Sequence, residues 1–116
     1  MDYKKTNSMK ANATSFHGVT VECSYDSLVK IFGEPTAIGG DKTNAEWVLE
    51  NSDGKILTIY DYKESFNPIT SRGSFEWHIG THSDGGYKDK KAVATSAELK
   101  EYIERRLPDE TYNAGD

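Results

Sequence analysis

Apolar and polar positions alternate with a period of two in two segments of this chain, which is the pattern of half-buried β-strands. Residues 16–23 place Val19, Val21 and Cys23 on one side, with polar residues between them. Residues 75–82 alternate in the same way. Each segment therefore predicts a strand with one face toward the core. In the second, Phe75, Trp77 and Ile79 share the core face, while Glu76 and His78 share the other.

The central segment, residues 46–63, predicts a β-hairpin because two apolar-rich runs flank the turn dipeptide Asp53-Gly54. A two-residue type I′ turn there places Trp47 opposite Tyr60. Both faces of the hairpin are apolar in that register, which predicts that the terminal helix or another subunit covers the second face. The first face holds Trp47, Leu49, Thr58 and Tyr60, and the second holds Val48, Leu57 and Ile59.

Two further segments have the spacing of amphipathic helices. The first begins after Ser24, a good N-cap residue, and ends at Gly33. The second begins near Thr95 or Ser96, where the sequence has capping-box spacing, and ends at Pro108. The apolar stripes are Tyr25, Leu28, Val29 and Phe32 in the first helix, and Leu99, Tyr102, Ile103 and Leu107 in the second.

These elements follow the order β-α-β-β-β-α, which predicts a two-layer α+β domain with an antiparallel sheet of about four strands and helices on one face. The domain spans residues 15–108. Residues 1–14 are a flexible N-terminal arm in this interpretation, and residues 109–116 are a flexible C-terminal tail. Residues 36–44 and 83–91 are polar, glycine-containing connections.

Composition narrows the classes of function. The chain has 116 residues and a formal net charge of −5, which disfavours non-specific binding to nucleic acid or to an anionic membrane. One cysteine excludes an internal disulfide, so we expect a reducing cytoplasm. No apolar run approaches the length of a membrane span. A domain this small has a small core, and formation of a homo-oligomer would add buried apolar surface to it.

Asp61, His78 and His82 are the candidate metal ligands. His78 and His82 share strand parity, but residues four apart on a strand lie roughly 13 Å apart, so they share an ion only if Gly80 bends the chain. The close spacing of zinc ligands is missing. We therefore expect no metal and no cofactor, and we interpret His78 as a strand histidine bonded to a neighbouring carboxylate.

Other catalytic patterns are weak. Glu46, Asp61 and Glu76 could pair for acid–base work, but a solvated, salt-bridged face is the favoured interpretation. Cys23 has the parity of a buried residue and is not expected to act as a nucleophile. The run from Gly39 to Thr43 has the wrong order for a phosphate-binding loop.

The aromatic content is dense for this length, and it is the strongest sign of binding. Tryptophan, tyrosine and arginine are the usual anchors of protein interfaces. Part of the aromatic set belongs to the core, and the remainder predicts a recognition surface. The predicted binding residues are Trp47, Tyr60, Asp61, Tyr62, Lys63, Arg72, Trp77 and His78.

Six short motifs follow one another in order over residues 19–82. They are Phe32-Gly33-Glu34-Pro35, Asp41-Lys42-Thr43, Glu46-Trp47, Asp53-Gly54, Thr58-Ile59-Tyr60-Asp61-Tyr62-Lys63 and Trp77-His78-Ile79-Gly80. In these motifs the chain resembles a family of small, mostly uncharacterised bacteriophage accessory proteins. The resemblance implies a protein that acts in an infected bacterial cytoplasm, and it carries over no reaction or site. A weaker, architectural similarity links the chain to modules of outer-membrane assembly lipoproteins and β-lactamase inhibitor proteins, without their lipobox or disulfides.

The sequence thus favours a non-enzymatic binding protein, with a phage-encoded inhibitor of a host defence protein as the leading hypothesis. One alternative is an oligomeric sponge for a nucleotide-like small molecule, which aromatic side chains would stack on while Lys63, Arg72 or residues 88–91 hold phosphate. Another is a metal-dependent hydrolase that uses Asp61, His78 and His82.

Overall fold

The computed structural model of the protein describes residues 1–40, 42–71 and 73–107. Six strands, two α-helices and one short 3-10 turn occur in these ranges. In chain order they are β1 (Tyr3–Lys5), the 3-10 turn (Ser8–Ala11), β2 (Ser15–Ser24), α1 (Tyr25–Phe32), β3 (Ala37–Ile38), β4 (Ala45–Asn51), β5 (Ile56–Tyr60), β6 (Ser74–Thr81) and α2 (Lys90–Arg106).

The strands form one antiparallel sheet in the order β1-β4-β5-β6-β2, and β3 pairs with the same edge of β4 as β1 does. The prediction of an α+β domain with an antiparallel sheet is confirmed. The predicted count of about four strands is wrong for the described residues, which contain six. The two missed strands, β1 and β3, are two or three residues long, too short for an alternating pattern to be visible.

Both helices pack on one face of the sheet and enclose the core. Trp47 and Trp77 meet edge to face with ring centroids 5.5 Å apart. Their indole N–H groups donate to the carbonyls of Gly33 and Cys23, each at 2.9 Å, so neither polar atom is buried without a partner. The core also holds Val21, Cys23, Leu28, Ala45, Leu49, Leu57, Ile59, Ile79, Leu99 and Ile103.

The hairpin register differs by one residue from the prediction. Trp47 lies opposite Ile59, because the turn holds three residues, 52–54, and not two. Asn51 closes this turn: its N–H donates to the Lys55 carbonyl, and its side-chain oxygen accepts from the N–H groups of Asp53 and Lys55. Gly54 takes the left-handed conformation, with φ of +81°.

This one-residue difference moves every β5 side chain to the opposite face from the predicted one. Leu57 and Ile59 join Trp47 in the core, whereas Thr58 and Tyr60 lie on the outer face with Val48. The predicted pairing of Trp47 with Tyr60 is therefore wrong.

The N-terminal segment covers half of the outer sheet face. The prediction made residues 1–14 a flexible arm, but β1 pairs with β4, and the Thr6 N–H donates to the Val48 carbonyl at 2.9 Å. The 3-10 turn then packs against β4 and β5, and Lys10 pairs with Glu50 at 3.5 Å. Val48 and Thr58 are fully buried in consequence. Neither the terminal helix nor another subunit is needed to cover this half.

The helix limits agree with the prediction for α1 and disagree for α2. Ser24 caps α1 by accepting from the Ser27 N–H at 3.1 Å, and the Gly33 N–H closes its last turn. α2 begins at Lys90 and not near residue 95, because Asp89 accepts from the Ala92 N–H and acts as the N-cap. The apparent capping box lies inside the helix, where Thr95 and Ser96 are buried. Pro108 and the predicted tail, 109–116, lie outside the described residues.

Candidate functional site

The outer face of the sheet has two halves. The register aligns Val48, Thr58 and Gly80 in one row, and this row lies under the N-terminal segment. Gly80 lets the neighbouring strands pack closely here, since a Cβ at this position would lie 2.6 Å from the Thr58 hydroxyl on β5 and 3.2 Å from the Ser15 carbonyl oxygen on β2. The next row runs through Glu46, Tyr60, His78 and Thr20, and it is only partly buried.

Four rings gather on this second half, and we call Phe16, Tyr60, Tyr62 and His78 the aromatic patch. The His78 ring lies at the centre, stacked on Phe16 with centroids 4.1 Å apart. The rings of Tyr60 and Tyr62 lie 5.5 and 5.4 Å from His78, and 6.5 Å from each other in a T-shaped arrangement. These distances are those of favourable aromatic contacts. Tyr62 is the most accessible tyrosine of the patch, 40% exposed.

A lysine extends the patch at the end of β5. The Lys63 ammonium lies 5.3 Å from the centre of the Tyr62 ring, within the range of a cation–π contact. Lys63 has a positive φ of 54°, and its N–H donates to the Lys42 carbonyl at 3.0 Å. This hydrogen bond holds a backbone conformation that non-glycine residues seldom adopt.

Carboxylates surround the rings. Glu46 lies directly opposite Tyr60, and Glu76 lies on the same face of β6 as His78, next to it along the strand. Glu64 lies near enough to act electrostatically on His78, and so does Glu76. Glu22 is directly opposite Glu76 on the neighbouring strand, and both are exposed. The patch is therefore an aromatic surface with an acidic rim.

Burial and these charges shift three pKa values. Burial lowers the pKa of His78, and the charges of Glu76 and Glu64 oppose that effect without cancelling it. Burial also raises the pKa of Glu46 and, together with the charges of Glu46 and Tyr62, the pKa of Tyr60. His78 is consequently neutral at pH 7, so its ring acts in the patch as an uncharged aromatic group.

The structure brings together four of the predicted binding residues: Tyr60, Tyr62, Lys63 and His78. It does not bring Trp47 or Trp77 to the surface, since both are fully buried in the core on the opposite face. Their inclusion in the predicted site is wrong, because in the observed register the tryptophans fill the space between sheet and helices. Arg72 lies outside the described residues.

Asp61 is also a buried residue that supports the fold and does not lie on the surface. Its fully buried carboxylate accepts from the Asn44 N–H at 2.8 Å, the Asn44 side chain at 2.7 Å and the Ala45 N–H at 3.0 Å. These bonds fasten the connection before β4 to the end of β5. The carboxylate therefore holds the residues that precede Tyr62 and Lys63 in place.

The two histidines of the candidate metal site, His78 and His82, lie in different parts of the structure. Among residues 1–40, 42–71 and 73–107, no three His, Cys, Asp or Glu side chains are grouped so that they could hold a metal ion. His82 lies in a cleft of about 530 Å³ between the hairpin end and α2, whereas His78 lies within the aromatic patch. Cys23 is buried in the core, as predicted.

Phe16 is the patch residue that sequence reasoning missed. It lies opposite Gly80, on the same face of β2 as Thr20, but the pairing shifts between Phe16 and Thr20. Gly18, with φ of +91°, lies inside this bulge. Strand parity places Phe16 with Thr20 and Glu22 on the outer face, and this was the available signal.

Comparison with known proteins gives no assignment. No protein-family model matches the chain, and no curated protein matches it. Within the described part of the chain, neither helix has the length and apolar character needed to cross a membrane.

Proposed function

We propose that this protein is a non-enzymatic binding protein that engages a partner protein through the aromatic patch. The observation that carries the proposal is the split outer face: the N-terminal segment covers one half, while four mutually packed rings stay accessible on the other. Rings that are held by their neighbours lose little side-chain entropy on binding, which is the property of interface anchors.

The setting that we propose is the cytoplasm of an infected bacterium, with a host protein as the partner and inhibition of a defence function as the result. The resemblance of residues 19–82 to bacteriophage accessory proteins supports this setting. The negative net charge and the acidic rim also favour a protein partner over nucleic acid.

The same rim disfavours the nucleotide sponge. A phosphate at the patch would meet the carboxylates of Glu46, Glu64 and Glu76 as well as the ammonium group of Lys63. The hydrolase alternative lacks a grouped set of ligands among the described residues. Partner-protein binding is the function that the geometry supports best.

The test is affinity purification from bacterial cells that express the tagged protein, compared with a Tyr62→Ala variant. We expect a stoichiometric partner with the natural chain and at least a tenfold weaker yield with Tyr62→Ala, because anchor truncation costs about 2 kcal/mol or more. Tyr87→Ala is the matched control, since Tyr87 is also an exposed tyrosine with a lysine over its ring, 5.5 Å away, but lies in the connection between β6 and α2. Equal recovery with both variants would contradict the proposal.

A further inference from the structure

We propose that the aromatic patch with its acidic rim binds an arginine-bearing, basic segment of the partner protein. This inference rests on the proposed function, and it specifies the chemistry of the partner at the same surface.

The acidic rim contains two like-charged glutamates on neighbouring strands, which a cation between them would stabilise. Glu22 and Glu76 lie directly opposite each other on β2 and β6 and are both exposed. Like charges in this position destabilise a sheet. Within the described residues, neither carboxylate forms an ion pair, and the ammonium group of Lys63 lies over the Tyr62 ring. A cation from a partner would relieve this repulsion, so the charge complement of the surface is basic.

The rings favour a planar cation. Tyr62 already has an ammonium group over its face, which shows that the ring accepts a positive charge within its own chain. His78 has its pKa lowered by burial, so it does not repel an incoming cation at neutral pH. A guanidinium group stacks on tyrosine or histidine rings and can present parallel N–H donors to a carboxylate at the same time.

An arginine side chain can stack on the rings and also pair with the carboxylates of the rim. The other occupants fit at most one of these two parts of the surface. A lysine ammonium would pair with the rim but lacks a planar face for stacking. A nucleic acid or a free phosphate would meet Glu22, Glu46, Glu64 and Glu76. A second copy of this chain would bring another net charge of −5. An arginine-bearing segment is therefore the occupant that the observations favour.

The probe is a set of three capped peptides, Gly-Arg-Gly-Arg-Gly and its lysine and citrulline analogues, added to the full-length protein. Binding is followed by the NMR shifts of the ring protons of Tyr60, Tyr62 and His78. We expect the arginine peptide to shift these signals saturably, the lysine peptide to bind at least about threefold more weakly, and the citrulline peptide not to bind. Saturable binding by citrulline equal to that by arginine would overturn the proposal, because citrulline has the shape without the charge.

The carboxylates are tested with the double variant Glu22→Gln/Glu76→Gln. We expect its dissociation constant for the arginine peptide to rise about five- to tenfold, because the variant removes two exposed ion pairs with the guanidinium groups. The control is Glu98→Gln/Glu104→Gln, which removes the same charge from α2 and should leave the constant unchanged. Equal affinities for both double variants would overturn the proposal.

Substitution of Lys63 gives a test in which the affinity for the arginine peptide should increase. In the chain this lysine competes for the face of Tyr62, so Lys63→Gln should strengthen binding of the arginine peptide about two- to threefold. A weaker complex would mean that Lys63 contacts an acidic partner group, and the basic segment would be the wrong assignment.

Three results separate this inference from the proposed function. If Tyr62→Ala loses the cellular partner but Glu22→Gln/Glu76→Gln keeps it, the patch is an interface whose partner is not basic. If neither variant loses the partner, the proposed function itself is contradicted. If light scattering shows a dimer that Tyr62→Ala converts to a monomer, the occupant is a second copy and the basic segment is overturned.

Discussion

Two side chains of the same chemical type have opposite roles in this protein. The atoms that surround each side chain decide which role it has. Asp61 and Glu76 are both carboxylates of the candidate acid–base grouping, which the sequence did not favour. Asp61 is fully buried and accepts three hydrogen bonds, whereas Glu76 is exposed opposite another glutamate. A buried carboxylate with satisfied oxygens supports the fold, and an exposed like-charged pair leaves electrostatic energy available to a partner.

Asp61→Ala should destabilise the fold strongly. The change leaves the N–H groups of Asn44 and Ala45 without their acceptor at a buried position, and we expect a loss of about 2–4 kcal/mol in the free energy of unfolding. Urea unfolding measures the loss. Asp84→Ala, in an exposed connection, should change it by no more than about 0.5 kcal/mol. Similar stabilities for the two variants would contradict the structural role of Asp61.

His78 should titrate below the ordinary histidine value of about 6.5. Its folded pKa is lowered, so the unfolded state binds the proton more readily. The free energy of unfolding therefore falls as the pH drops from about 6.5 toward the folded pKa, and its contribution is complete above 6.5. NMR titration of the ring measures the pKa directly.

Two variants separate the causes of this shift. Glu76→Gln should lower the pKa of His78 further, because the charge of Glu76 favours the protonated ring. Tyr62→Ala should raise it, because the ring becomes more hydrated. A fall in the pKa of His78 in Tyr62→Ala would show that burial by Tyr62 is not part of the cause, and a rise in Glu76→Gln would contradict the role of the Glu76 charge.

At the scale of elements, the hairpin turn decides which side chains reach the surface. A two-residue turn would place Tyr60 with Trp47, whereas the observed three-residue turn places Tyr60 beside His78 on the outer face. The Asn51 side chain supports this longer turn through two backbone N–H groups. The existence of the aromatic patch therefore depends on one residue of turn length.

Gly54→Ala should cost about 1 kcal/mol in stability, because a residue with a Cβ is strained at a φ of +81°. Thermal unfolding should show a decrease of several degrees in Tm. Asp53→Ala, in the same turn, is the matched control and should have a smaller effect. If Gly54→Ala is neutral, the turn has rearranged, and the NMR contact between Tyr60 and His78 would show whether the register changed with it.

At the scale of the whole molecule, the N-terminal segment defines the open surface by covering the rest of the outer face. It is fastened at β1, by the Thr6–Val48 hydrogen bond and by the Lys10–Glu50 ion pair. The partner-binding half that we propose is the part of the sheet that this segment does not reach. The N-terminal segment thus contributes to the packing of the outer face and also sets the limits of the surface that we propose for binding.

Thr6→Pro tests this arrangement, because proline removes the N–H that donates to the Val48 carbonyl. We expect a loss of about 1–2 kcal/mol and faster hydrogen exchange in the neighbouring strands. Ser8→Pro is the control: Ser8 is the first residue of the 3-10 turn, and Asn7 before it is already extended, so proline fits. Equal losses for both variants would contradict a specific role for the Thr6 bond.

The sequence by itself determined the α+β class, the limits of α1 and the core faces of β2 and β6, because side-chain period and capping residues act locally. It also predicted Tyr60, Tyr62, Lys63 and His78 as binding residues, and their role in binding stays a prediction. Tertiary structure decided what local patterns do not encode: the turn length that sets the hairpin register, the pairing of short β1 and β3, and the removal of Trp47, Trp77 and Asp61 from the surface. These features depend on contacts between residues far apart in sequence. The alternation of apolar and polar residues within one segment carries no information about the energies of such contacts.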